Sequence, residues 1–317
     1  MIDFNFWWAI ASPIIALLIP LTMGALLIWA ERRLLAIWQD RLGPNRVGPL
    51  GLLQVVADAI KMFFKEDWIP PFADKKVFIL APAIIIGSIL ASFSLIPWTR
   101  DLVVFDSEVG ILVFLALSSL GTYSIALAGW ASNNKYALLG SIRSIGQMIA
   151  YEVFMGISLM GVVIKTGSFR FIDIIEAQST GWNILGQFIG FIVFYIAALA
   201  ETHRLPFDLP EAESELIAGF HSEYSGLKFG MFFVGEYMGI TLMSAMMTIL
   251  FFGGWQGPIL PPFIWFMLKT CALIASFILL RAALPRPRID QLISFGWKFL
   301  LPLSLVNLLF TALVALM

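Results

Sequence analysis

Residues 229–252 read Phe-Gly-Met-Phe-Phe-Val-Gly-Glu-Tyr-Met-Gly-Ile-Thr-Leu-Met-Ser-Ala-Met-Met-Thr-Ile-Leu-Phe-Phe. A helix over this stretch is about 36 Å long, enough to cross a hydrocarbon core of about 30 Å. Its one charged residue is Glu236, about seven positions inside. A run this apolar settles the class of fold, because a segment in lipid must satisfy its own backbone hydrogen bonds as a helix. The same reading extends to seven further runs, and the expected spans are 7–30, 77–98, 109–130, 146–165, 184–201, 229–252, 262–282 and 298–316. The chain is therefore expected to be all-α, a polytopic integral membrane protein with eight transmembrane helices. No internal repeat appears, and the spans share one bilayer, so 1–317 is read as a single membrane domain.

Composition agrees. Apolar residues make up 60% of the chain, charged residues 13%, and the mean hydropathy is +0.89. A soluble domain carries about 25% charged residues. The net charge of −1 gives no field for nucleic acid. One cysteine, Cys271, and two histidines, His203 and His221, cannot build a Cys-ligated iron–sulfur site or a c-type haem attachment. No G-x-G-x-x-G or Walker A string is present. The expectation is no cofactor and no metal bound by this chain, so any electrons arrive through another subunit.

Basic residues set the orientation. Counting loops alternately, sixteen of the twenty Lys and Arg fall on one side, hereafter the basic side. Three, Arg100, Lys165 and Arg170, fall on the other, and Lys269 lies within a span. The basic side is expected to be cytoplasmic and the N-terminus external. The N-terminus lacks the basic region of a signal peptide, so the first run is expected to remain as a helix.

Two loops on the basic side are unusual. In 51–66, apolar residues at 52, 53, 55, 56, 59, 60, 63 and 64 repeat at helical spacing opposite Gln54, Asp58, Lys61 and Lys65. This predicts an amphipathic helix at the interface, preceded by the irregular stretch Gly43–Pro49. The acidic loop, about 201–228, holds Glu201, Asp208, Glu211, Glu213, Glu215 and Glu223. Asp208-x-x-Glu211 with Pro210 fits a capping box opening a short helix.

Acidic residues inside spans carry the chemistry. Glu152 and Glu236 lie roughly 10 Å deep from the basic side, counting 1.5 Å per residue. A charge at the centre of a span costs about 2.5–3.5 kcal/mol on insertion scales. Snorkelling suits the terminal Glu31 and Glu201, but Glu is too short for it at 152 and 236. Buried carboxylates of this kind point to a proton or water path. A second group, Glu31, Arg32, Arg33, Arg41, Arg46, Asp58 and Lys61, reads either as interfacial anchoring or as an ion-pair cluster at the mouth of a cavity. The amphipathic helix would wall that cavity with Val56, Ile60 and Phe63. His203 and His221 read as local hydrogen-bonding residues. Lys269 could pair or snorkel.

These strings resemble a known family. Glu31-Arg-Arg-Leu-Leu-Ala, Gln39-Asp-Arg-Leu-Gly-Pro-Asn-Arg-Val-Gly-Pro and Ala57-Asp-Ala-Ile-Lys-Met-Phe-Phe-Lys-Glu-Asp resemble the H-subunit family of bacterial complex I, the NADH:quinone oxidoreductase of respiration. So do Glu201-x-x-Arg-x-Pro-Phe-Asp-Leu-Pro-Glu-Ala-Glu, Glu223-Tyr-Ser-Gly, Glu236-Tyr and Leu284-Pro-Arg-Pro-Arg-Ile-Asp-Gln-Leu. The mitochondrial counterpart is the first complex I subunit encoded by that organelle's genome. The resemblance covers almost the whole chain. It implies a membrane subunit of a proton-translocating NADH:quinone oxidoreductase in a bacterial inner membrane, multi-pass, with a periplasmic N-terminus. The implied partners are soluble-arm quinone-site subunits, small membrane-arm subunits, lipids, and ubiquinone or menaquinone as substrate. Carried over by matching strings, Glu152, Glu201, Glu211, Glu213, Glu215, Glu223 and Glu236 would relay protons. Glu31, Arg32, Arg33, Arg46, Val56, Asp58, Ile60, Lys61 and Phe63 would line or support a quinone-access chamber. The membrane anchor of a related hydrogenase or formate hydrogenlyase, or an independent ion transporter, are the other readings.

Overall fold

The computed structural model describes residues 4–210 and 216–316, with side chains from residue 11 onward. It is all-helical among the described residues. The first helix, α1 (Phe4–Trp38), contains Pro13 and Pro20. The short α2 (Gln54–Phe64) is the amphipathic helix expected from 51–66. Then come α3 (Lys75–Phe93), α4 (Gly110–Ala131) and α5 (Lys135–Thr166). Asp74 accepts from the backbone N–H groups of Lys76 and Val77 to cap α3, and Asn134 caps α5 through Tyr136 N–H. Gly167, at φ +72, ends α5 in the left-handed conformation that favours glycine. After α6 (Phe171–Ala177) and α7 (Asn183–Gly186) the chain crosses inward as α8 (Phe188–Glu201). It ends with α9 (Gly226–Phe251), α10 (Pro262–Ala283), α11 (Ile289–Phe295), a π-turn at Gly296–Leu300, and α12 (Leu301–Leu316).

Seven helical stretches are long and apolar enough to cross a bilayer, with α11, the π-turn and α12 forming one of them. The protein is thus a polytopic membrane protein. The fifth expected span, 184–201, is different. It is split at Gln187, whose backbone sits at φ −124, ψ 37, and the apolar helix that remains, α8, has 14 residues. That is about 21 Å of helix, short of the full hydrocarbon thickness. The break is held by side chains: Gln187 donates to Thr311 Oγ1 (2.6 Å) and accepts from Asn307 Nδ2 (2.9 Å). Gly161 and Gly190 make room for this knot, since a Cβ on Gly161 would meet Gln187 Oε1 at 2.6 Å and one on Gly190 would meet Asn307 Nδ2 at 3.1 Å.

Two boundaries also move. Helix α5 begins eleven residues before the expected 146, because Gly140 lets its first turns lie against the backbone of 219–220. The last crossing begins at Ile289 rather than 298. Helix α9 is the most enclosed of the crossings and packs against α1, α2, α3, α8 and α10. Helix α2 lies on α1 and α9. Gly230 leaves space for Met62, and Arg32 reaches Asp58 at 2.9 Å. Its Val56, Ile60, Phe63 and Phe64 remain exposed.

Candidate functional site: a buried ion network at an unwound loop

The shortness of α8 creates the site. Its last residue, Glu201, lies within the bundle, where the chain gives up helical geometry: His203 has φ +50. Backbone that leaves a helix at membrane depth must be satisfied by protein. Gln147, fully buried and twelve residues into α5, donates to the carbonyls of Ala200 (2.8 Å) and Phe207 (2.9 Å). His203 Nε2 lies 2.7 Å from Ser144 Oγ. Both α5 partners are roughly 14–18 Å along the axis from the helix start, so the loop dips that far inward.

Arg204, buried on this loop, meets Glu31 from α1 (3.3 Å) and Glu236 from α9 (Nε, 2.9 Å). Its guanidinium also lies 4.4 Å from the Tyr237 ring. Arg281, at the end of α10, also binds Glu31, sharing the Oε1 to which Arg204 donates, and Arg286 binds Asp208 at 2.6 Å. Three carboxylates thus meet three guanidiniums. Burial opposes the charge on Arg204, but the carboxylates of Glu236 and Glu31 prevail and hold it protonated, above its ordinary value. Burial raises Asp208 despite the pull of Arg286. His203 and His221 are both pushed down to about 4 by burial, so they are neutral near pH 7.

Beyond this balanced set lie two carboxylates with no ion pair among the described residues. Glu152 accepts from Thr122 Oγ1 at 3.3 Å. Glu201 faces it at electrostatic range, with Oε2 buried and without a hydrogen-bond partner among the described residues. Two cavities flank the network. One, of about 280 Å³, lies among α3, α4, α5 and α9 and is lined by Ser88, Ser92, Glu201, His203, His221 and Glu236. The other, of about 330 Å³, opens toward α1 and is lined by Glu31, Arg32, Arg204, Asp208, Glu236 and Tyr237. Phe233, Glu236, His203 and Arg281 border both.

Of the residues singled out from sequence, Glu31, Glu152, Glu201 and Glu236 come together here. Glu223 stands apart, accepting from Asn134 Nδ2 (2.6 Å) at the start of α5. Glu211, Glu213 and Glu215 lie outside the described residues, as does half of the expected capping box; its other half, Asp208, binds Arg286. Arg32, Asp58 and Lys61 form a half-exposed chain between α1 and α2. Burial acts to raise Asp58, but hydrogen bonds from Gln54, Arg32 and Lys61 outweigh it and leave the carboxyl below its usual range. Arg33 donates to the Pro44 carbonyl (3.2 Å), and Arg46 is exposed in the 43–49 turn. Sequence reading missed Arg204, Arg281 and Arg286, which count equally well as interfacial anchors, and Gln147, which the expected span 146–165 puts at its edge and which becomes deep only because α5 starts at Lys135.

Fold and site define a class: a polytopic membrane protein with an arginine-paired carboxylate network drawn into the bundle by a partly unwound segment. The NADH dehydrogenase family profile matches residues 11–312. A curated relative, the H subunit of the NADH-quinone oxidoreductase of Methylococcus capsulatus (Bath), is 62% identical over 301 residues, 95% of each chain. The chain belongs to the NADH dehydrogenase family.

Proposed function

We propose that the chain is the H subunit of a proton-translocating NADH:quinone oxidoreductase, forming the quinone-access chamber and coupling quinone reduction to proton movement through its carboxylates. The relative's name supports the complex. The observation that carries the coupling role is Glu236, which sits between two cavities and is tied through Arg204 to Glu31. Charge formed on the α1 side changes the electrostatic balance at Arg204 and Glu236, and so the protonation of Glu201 and Glu152 beyond. On the chamber side, the exposed Val56, Ile60 and Phe63 of α2 offer an apolar wall for the isoprenoid tail of ubiquinone or menaquinone. The chain itself holds no redox centre in this reading. Electrons come through soluble-arm subunits, and protons pass on to small membrane-arm neighbours. The basic side faces the cytoplasm of a bacterial inner membrane, the N-terminus the periplasm, and lipids surround the rest.

The test is Glu236→Gln and Glu152→Gln in the assembled complex, reading NADH-driven quinone reduction and proton pumping together. Glu152→Gln is the cleaner arm, because no arginine loses its partner. Pumping should fall by about tenfold or more in each. Wild-type rates of both reactions in an assembled variant would remove that residue from the relay.

A further inference from the structure

On the side opposite the ion network, α9 ends at Phe251 and the chain turns sharply through Gly253 (φ +70) and Gly254 (φ +53). These left-handed residues aim three carbonyls at one point. The point is occupied by Lys269, two turns into α10 and half-buried. Its Nζ donates to the carbonyls of Phe252 (2.7 Å), Gly254 (3.0 Å) and Gln256 (2.7 Å). The three donors of an ammonium are thereby all used. Two indoles complete the surroundings, with Nζ 5.0 Å from the Trp182 ring and 5.8 Å from the Trp265 ring. Gly257 keeps the backbone against Trp265, where any Cβ would collide with the indole.

Carbonyl oxygens and indole faces are the two groups that replace water around an ammonium. Here the carbonyls come from 252–256 and one indole from Trp182, while the other indole, Trp265, lies one turn before Lys269 on α10 itself. Snorkelling would need a free ammonium head; this one is enclosed by a folded-back backbone. The cage is itself anchored: Gln178 Oε1 accepts from Gly253 N–H (3.0 Å), and Gln256 Nε2 donates to the Ile175 carbonyl (2.6 Å).

We propose that residues 252–256 with Trp182 and Trp265 form a binding cage for a primary ammonium, filled in the native protein by Lys269, which clamps the end of α9 to α10. The clamp positions the helix that carries Glu236. It is a positioning device, independent of whether Glu236 relays protons.

Hydrogen exchange in the assembled complex tests this, since the amides of Gly253, Gly254 and Gln256 are all hydrogen-bonded. Lys269→Met keeps the stem and removes the ammonium, and exchange across 252–257 should rise by about tenfold or more. Lys269→Ala should show the same rise, and n-propylammonium, which supplies the missing atoms, should reverse it saturably. Tetramethylammonium has no N–H to donate and should not. Wild-type exchange in Lys269→Met overturns the clamp. In Lys269→Ala, failure of n-propylammonium to restore protection, or equal restoration by tetramethylammonium or n-propanol, overturns the cage.

Discussion

The two halves of this bundle bury polar groups of different kinds. On the basic side they are ions: Glu31, Arg204, Glu236, Arg281, Asp208 and Arg286. On the opposite side they are mainly side-chain amides. Gln178 donates to the carbonyls of Ile174 and Ile249 and accepts from the N–H groups of Asn183 and Gly253. Asn183 donates to the Leu250 carbonyl, and Gln187 joins Asn307 to Thr311. The amides are well satisfied. Among the described residues the ions are not: Glu201 Oε2, Asp208 Oδ1, Arg204 Nη2 and Arg286 Nε are buried without hydrogen bonds. A satisfied neutral network fixes one arrangement, whereas an ionic network with spare donors and acceptors can be rearranged by a change in charge. In the proposed function the amide half is scaffold and the ionic half is the responsive part.

The largest test of this contrast is Arg204→Leu. It strands Glu236 without its arginine and leaves Glu31 with Arg281 alone. Breaking a buried pair from one side costs about 3–5 kcal/mol. The complex should melt markedly lower, and adding Glu236→Gln should recover part of the loss. A variant that melts like wild type would show that the pairs do not hold the ionic half.

Acidification comes next. His203 and His221 are held down to about 4, while the unfolded side chain titrates near 6.5. Between those values the unfolded chain takes up protons that the folded one refuses. Their contribution is therefore complete above the unfolded pKa and is lost as pH falls toward 4, by about 3 kcal/mol for each histidine on the order of magnitude that linkage gives. His203→Asn should flatten the fall in melting temperature with acid, since Asn tolerates the left-handed backbone at this position. An unchanged slope would mean that His203 is not the group involved.

The smallest effect is expected on the scaffold side. Gln187→Leu leaves Asn307 and Thr311 without their partner, a loss of about 1–3 kcal/mol. No ion is involved, so the drop in melting temperature should be the same across the acid range. A pH-dependent drop would blur the distinction between the two halves.

Much of this architecture is legible in the sequence because lipid imposes a simple rule: long apolar runs are crossings. The rule does not foresee the break at 184–201, where the run is apolar enough but Gln187 leaves helical geometry and has its side-chain partners on α12. No pattern along one segment announces a bond to another 120 residues away. The deep carboxylates Glu152 and Glu236 stood out for the same reason the spans did, as charges where none should be. The arginines of the network, Arg204, Arg281 and Arg286, did not, because they fall near span ends, where basic residues also serve as interfacial anchors. Lys269 was visible as a charge within a span, but its cage depends on two glycines and two tryptophans that meet only in three dimensions.

The early end of α8 has an electrical consequence. Where ions are drawn into the bundle, the insulating thickness is the apolar packing beyond them, which includes the ring pairs Phe191–Phe251, Phe194–Phe251 and Trp98–Phe266. A transmembrane voltage drops mostly across its insulator. A full crossing costs a unit charge about 2.3 kcal/mol per 100 mV. In the proposed coupling role, a charge arriving at Glu236 from the basic face would therefore meet only a fraction of that cost.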